Sequence, residues 1–266
     1  MKRIANASLA ALALAATSGT AAAQPFVHNI GEPLEAFELA NDLHLMTTGD
    51  ISYVGGFAPS FNNFDSYGYL VVNDPAGIPI ISWFFDDRLT TDDEAFAVRQ
   101  DISDDQFIIA QHGEQFAAPG TDNIVLFKFD PFNNNPVYAW RYRMNTDLLN
   151  IGMELFSDWG YIAARTESTS LDYQPSLLVF EQATGLPVFN NRYDTFDENV
   201  RNGKFNDVAV DEETGEIYAV GEVQVFDPTF TPGVTKLLIA KFDAFGSPIW
   251  FNAYDVPASD ANSIDI

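Results

Sequence analysis

One arrangement recurs along this chain and restricts the fold more than any other feature. Its clearest copy is FNDVAVDEETGEIYAVGEV at 205–223, followed after a loop by KLLIAKFDAFGSPIWFNAYD at 236–255. Two apolar runs flank the turn Glu213-Thr214-Gly215 and two more flank Asp243-Ala244-Phe245-Gly246, so the unit reads as four short strands joined by turns. The first strand returns as ANDLHL at 40–45, EAFAV at 94–98, NIGM at 150–153 and ANSIDI at 261–266. With Leu43, Phe96, Ile151, Val208 and Ile264 taken as equivalent, the steps are 53, 55, 57 and 56 residues. Second strands start at Ile51, Phe107, Tyr161 and Ile217. The third strand and its turn recur as YLVVNDPAGIP, IVLFKFDPFNNNP, LLVFEQATGLP and LLIAKFDAFGSP, closed by Pro79, Pro136, Pro187 and Pro248. Two residues past each proline stands a large apolar side chain, Ile81, Tyr138, Phe189 or Trp250.

A period of about 50 residues holding four strands is the signature of a β-propeller blade, which needs neighbours to cover its two faces. The expected fold is therefore all-β: four complete repeats at about 40–93, 94–148, 149–204 and 205–260, plus a partial one at 261–266. An unrelated sandwich leaves the fixed order and spacing unexplained, and solenoid coils repeat at shorter periods. The chain stops in mid-repeat. It is expected either to be a fragment truncated at its C-terminus or to dock its last strand beside the first repeat, with FVHNIG at 26–31 as an outer strand.

Residues 1–23 stand apart from the repeats. Lys2 and Arg3, the apolar run Leu9–Ala16 and Ala21-Ala22-Ala23 before Gln24 make a secretory signal peptide, too short in its apolar run to span a bilayer. Its removal leaves 24–266 as an exported chain, periplasmic, extracellular or at the cell surface, with no membrane insertion after cleavage. The whole sequence has 13 Lys and Arg against 38 Asp and Glu, a net charge of −25. Such a surface repels nucleic acid and anionic lipid. The absence of cysteine removes disulfides, thiolate metal sites and a cysteine nucleophile.

The DVAVD first strand, the IYAVG second strand and the Lys241-Phe242-Asp243-Ala244-Phe245-Gly246-Ser247-Pro248-Ile249-Trp250 turn together resemble the seven-bladed β-propeller repeat family of bacterial secreted proteins. The match is best at 205–255 and weaker over 40–266. Repeat three departs most, with Phe180-Glu181-Gln182 where the others read Val72-Asn73-Asp74, Lys128-Phe129-Asp130 and Lys241-Phe242-Asp243. The resemblance implies a propeller on an exported protein, often joined to adhesive modules, and it implies no catalytic residues.

Motifs for chemistry are sparse. His28, His44 and His112 share no repeat position and no metal-ligand spacing, and there is no G-x-S-x-G elbow. Acidic clusters stand at Asp86-Asp87, Asp92-Asp93-Glu94, Asp101 with Asp104-Asp105, Asp194 to Glu198 and Asp211-Glu212-Glu213 with Glu216; most of these acids are expected in turns between strands, where solvated charge is the ordinary reading. Loops rich in oxygen donors suit calcium, among them Asn62 to Asp65, Asp130 with Asn133 to Asn135, and above all Asp211, Glu213 and Glu216 as candidate ligands. No other cofactor is expected. Most aromatics fall at repeat positions and read as filling between blades; Trp159 is the exception and the one candidate ligand contact. The function expected is a non-catalytic binding or adhesion scaffold for a protein or glycan. The alternative is a secreted or periplasmic polysaccharide-active enzyme, which requires carboxylates of different repeats to converge in a propeller cleft.

Overall fold

In the computed structural model the apolar runs form strands, with no helix among the described residues. These residues are 37–58, 67–85, 90–115, 122–130, 135–143, 151–167, 173–193, 200–227, 230–255 and 263–266. The signal segment, the 26–31 strand, His28, Asp86-Asp87, Asn62 to Asp65, Asn133-Asn134 and Asp194 to Glu198 lie outside them.

Among the described residues sixteen strands make four antiparallel sheets of four, each ordered along the chain. The first blade holds β1 (Phe37–Leu45), β2 (Ile51–Ala58), β3 (Tyr67–Asn73) and β4 (Pro79–Phe85). The second holds β5 (Thr90–Asp101), β6 (Gln106–Gln115), β7 (Asp122–Asp130) and β8 (Asn135–Arg143). The third holds β9 (Gly152–Phe156), β10 (Trp159–Glu167), β11 (Tyr173–Glu181) and β12 (Pro187–Arg192). The fourth holds β13 (Val200–Val210), β14 (Ile217–Asp227), β15 (Phe230–Phe242) and β16 (Pro248–Tyr254). These are blades of a β-propeller.

No blade owns a core. Val54, Leu70 and Val72 of the first blade pack with Val98, Phe107, Ile109 and Phe129 of the second. Ile108, Ala110, Ile124 and Leu126 of the second meet Met153, Ile162, Leu178 and Phe180 of the third, and the third turns Tyr161, Leu177 and Val179 to Val208, Ile217 and Phe242 of the fourth. Strand alternation sends neighbours such as Ile108 and Ile109 into different cores. Each such side chain contributes about 1.5–3 kcal/mol when buried, a gain realised only once the next blade is in place.

The prolines stand at the start of the outer strands, where a missing ladder donor costs least. Past them, Ile81, Tyr138 and Phe189 lean on the core shared with the following blade. Two tyrosines further tie neighbouring blades: the Tyr142 hydroxyl donates to the Gly185 carbonyl, and that of Tyr193 to the Gly246 carbonyl at 2.8 Å. Both glycines sit in the turn before the outer strand at φ of +69° and +73°.

Pairing corrects the repeat register. Leu43, Val98, Met153 and Val208 lie opposite Tyr53, Ile109, Ile162 and Ala219, which occupy one position in the four second strands. The steps are therefore 55 residues each, and Phe96 and Ile151 stand two residues short of the true equivalents. A bulge explains the slip: Asn41, Phe96 and Asn206 are extra residues where β1, β5 and β13 shift against their partners, and a large apolar Phe96 imitates a ladder position. In the third blade Gly160, not Tyr161, matches Ile51, Phe107 and Ile217. Glu181 takes the turn-opening place of Asp74 and Asp243, in a turn one residue longer, closed by Glu181 N–H to Leu186 O instead of Asp74 N–H to Ile78 O.

Ser263–Ile266, expected as a strand, is not one. Its Ile264 N–H nevertheless donates to Asp207 Oδ2 at 2.9 Å, as Val98 N–H donates to Asp42 Oδ2 at 3.0 Å. The segment thus meets the fourth blade as the second blade's first strand meets the first.

Candidate active site

In corrected register, two positions of each first strand flank the repeat residue Leu43, Val98, Met153, Val208 or Ile264. The position before it holds Asp42, Ala97, Gly152, Asp207 and Ser263; the position after holds His44, Arg99, Glu154, Ala209 and Asp265. Side chains two apart share one side of a strand, opposite the residue between them. The bulges add Asn41, Phe96 and Asn206. Together these first strands enclose a pocket of about 300 Å³, reached by all four blades and by Ser263.

Local contacts fix its walls. Asn41 Nδ2 donates to Glu94 Oε1 at 2.8 Å and to the Ala95 carbonyl at 2.9 Å, joining the first two blades. Gly152 lies so close to Asp207 that a Cβ there would stand 2.3 Å from its Oδ1; only glycine lets that carboxylate reach the third blade.

The charges form one chain across the pocket. Arg99 Nη1 meets Asp42 Oδ2 at 2.6 Å, and Arg99 Nε lies 3.5 Å from Glu154 Oε2. Its Nη1 also donates to the Val98 carbonyl at 2.8 Å. Burial works against the Arg99 charge, but Asp42, and then Glu154, more than offset it, so its pKa is raised. Burial pushes the Glu154 carboxyl above its ordinary range despite Arg99, and Asp207 adds a small push in the same direction. Asp207 is raised too: burial outweighs the amides of Ile264 and Val208 and the pull of Arg99. His44 is lowered to about 4, by burial first and Arg99 second, against an opposing pull from Asp42. Three carboxylates from three blades therefore share one arginine, and burial keeps two of them inclined to hold a proton. A carboxyl poised to give up a proton beside one bound to a cation can serve acid–base chemistry.

None of these four residues belongs to the acidic clusters visible in the sequence. Asp42 and Asp207 share one column and Arg99 and Glu154 its companion; in the slipped register the first pair still aligns, while Arg99 and Glu154 fall out of line with His44 and Ala209. Of the histidines, His44 stands beside the pocket.

The residues singled out earlier lie elsewhere. Trp159, 38% exposed, opens β10 and pairs with Phe156 at the hairpin end of β9, away from the pocket. Asp211, Glu213 and Glu216 share the turn between β13 and β14. Asp211 Oδ1 accepts from the Glu213 N–H at 2.9 Å, and Glu216 Oε2 pairs with Lys241 Nζ at 2.7 Å. Among the described residues no group of three or more His, Asp and Glu has the geometry to hold a metal ion.

No family model matches the chain, and no curated protein matches it. Solved structures do. An α-L-arabinofuranosidase from Lactobacillus brevis is 15% identical, with 82% of this chain and 76% of that one covered, at a TM-score of 0.48. A thermostable family-43 glycoside hydrolase is 12% identical, with 84% and 76% covered, at 0.47. The quinohemoprotein alcohol dehydrogenase from Comamonas testosteroni is 10% identical, with 81% and 46% covered, at 0.42. The expectation of a non-catalytic scaffold is corrected. What overturns it is the pocket and the arginine that lines it, where carboxylates of different repeats converge as only the enzyme reading required.

Proposed function

We propose that the pocket is the active site of a polysaccharide-hydrolysing enzyme. Glu154 is the general acid that protonates the leaving glycosidic oxygen, and Asp42, held by Arg99, is the partner carboxylate. Asp207 is the third charge, which disfavours ionisation of Glu154. The observation that carries the reading is that Asp42 and Asp207 of two blades line one cavity while Glu154 of a third reaches the Arg99 that lines it, with burial pushing the Glu154 carboxyl above its ordinary range. Glycosidic cleavage needs such a division of labour between two carboxyl groups. Phe96, at the bulge of β5, is the aromatic residue among those lining the pocket.

The test is turnover of a panel of neutral and charged polysaccharides by reducing-end release. Glu154→Gln keeps the shape and removes the transferable proton, so kcat is expected to fall by about 10²–10⁴-fold with the fold unchanged by circular dichroism. Absence of turnover by the wild type on every polymer, or full activity in E154Q, overturns the assignment.

We place the reaction outside the cytoplasm. The support is the Lys2-Arg3 start, the Leu9–Ala16 run and the Ala21-Ala22-Ala23 site. No helix among the described residues is long and apolar enough to cross a membrane. Mature protein beginning at Gln24 is the expected result of N-terminal sequencing. Membership of the bacterial secreted seven-bladed repeat type is likewise a proposal, supported by the KFDAFGSPIW turn and the repeating prolines.

A further inference from the structure

We infer that Arg99 is the positioning residue of this pocket: its guanidinium spans three blades, gripping Asp42 with one nitrogen and reaching Glu154 with another, and so fixes how far apart the two carboxylates stand. The inference rests on the proposed function, because it assigns a role within that site.

The geometry is specific. Arg99 stands in the same repeat position as His44 one blade earlier and Glu154 one blade later, so three consecutive blades present a different side chain from one strand position. The 2.6 Å bond to Asp42 reaches back one blade and the 3.5 Å approach to Glu154 reaches forward one. A third contact, from Nη1 to the Val98 carbonyl at 2.8 Å, ties the fork to its own strand. A planar guanidinium can serve two carboxylates on different sides at once, whereas the ammonium of lysine is a point charge on a flexible stem. Among the described residues lining the pocket, Arg99 is the one cation. Glu154 is faced by Arg99 from β5 and by Asp207 from β13; Asp42 and His44 of β1 face it across Arg99. An arginine there leaves Glu154 able to carry a proton while holding the charge of Asp42 in place.

The test reads the carboxyl groups directly, with glycan turnover measured beside them. Glu154 is followed by ¹³C NMR of its side-chain carboxyl through a pH titration in wild type, Arg99→Met and Arg99→Lys, with assignment by Glu154→Gln. Arg99→Met keeps the apolar stem and removes the charge, and Glu154 is expected to titrate about one pH unit higher. Arg99→Lys is expected to restore most of that shift but not the activity, since it restores charge without the fork. A Glu154 titration unmoved in folded Arg99→Met overturns the inference and leaves a packing role. Should Arg99→Met fail to fold, the wild-type value in Arg99→Lys together with wild-type kcat equally overturns it. A shifted titration in a protein without glycan turnover upholds the positioning role and sinks the hydrolase reading instead.

Discussion

A histidine beside a buried arginine is a pH sensor by construction. His44 has a folded pKa of about 4 against an ordinary 6.5, because burial and the charge of Arg99 both disfavour its protonated form. Between those values the unfolded chain binds a proton that the native chain refuses, so acidification across this window favours unfolding. The penalty is absent above about pH 6.5 and complete near pH 4. Its size, discounted for partial exposure, is on the order of 1–2 kcal/mol. Glu154 and Asp207 have the opposite sign, since their raised pKa values let the native state take up protons first as pH falls. The measurement that separates them is the melting temperature of wild type minus that of His44→Gln. It should decline as pH is lowered from 6.5 to 4, and a flat difference removes His44 as the cause. At this scale little was legible in advance. The first-strand column reads Asp, Ala, Gly, Asp and its companion His, Arg, Glu, Ala, so the Asp42 and Asp207 pair is all that repeats, too little to mark a site.

Between elements, the turn before each outer strand is both a bend and a socket. Gly246 has a φ of +73°, and a Cβ there would stand 2.2 Å from the Phe189 ring of the preceding blade. Gly246→Ala therefore incurs backbone strain and a clash at once, and should cost about 2–3 kcal/mol in urea unfolding, several times the effect at an open turn. Tyr193→Phe, which removes only the hydroxyl bonded to the Gly246 carbonyl at 2.8 Å, should cost about 1 kcal/mol. Equal losses in the two variants contradict the socket. This scale was the most legible: four strands, the glycine turn and the proline recur in one order because stacking demands them in every blade. Register was the exception. The bulges at Asn41, Phe96 and Asn206 insert a residue that spacing alone assigns to the ladder, and the longer turn at Glu181 to Leu186 disguised the third blade as the odd one out.

For the molecule as a whole, the charge of −25 on a chain stacked blade on blade means self-repulsion opposes the compact state. Raising sodium chloride from 0.05 to about 0.5 M shortens the screening length several-fold and should raise the melting temperature by a few degrees. A fall instead shows that solvent-accessible attractive pairs such as Lys236 with Asp255, 2.8 Å apart, outweigh the repulsion. The stacking also frees the centre. Along each first strand one side packs into the core shared with a neighbouring blade, while the other turns its charges to the adjoining first strands. An exchange of histidine, arginine or glutamate at one wall therefore leaves the apolar masonry behind it in place but must be answered by a matching charge on the next.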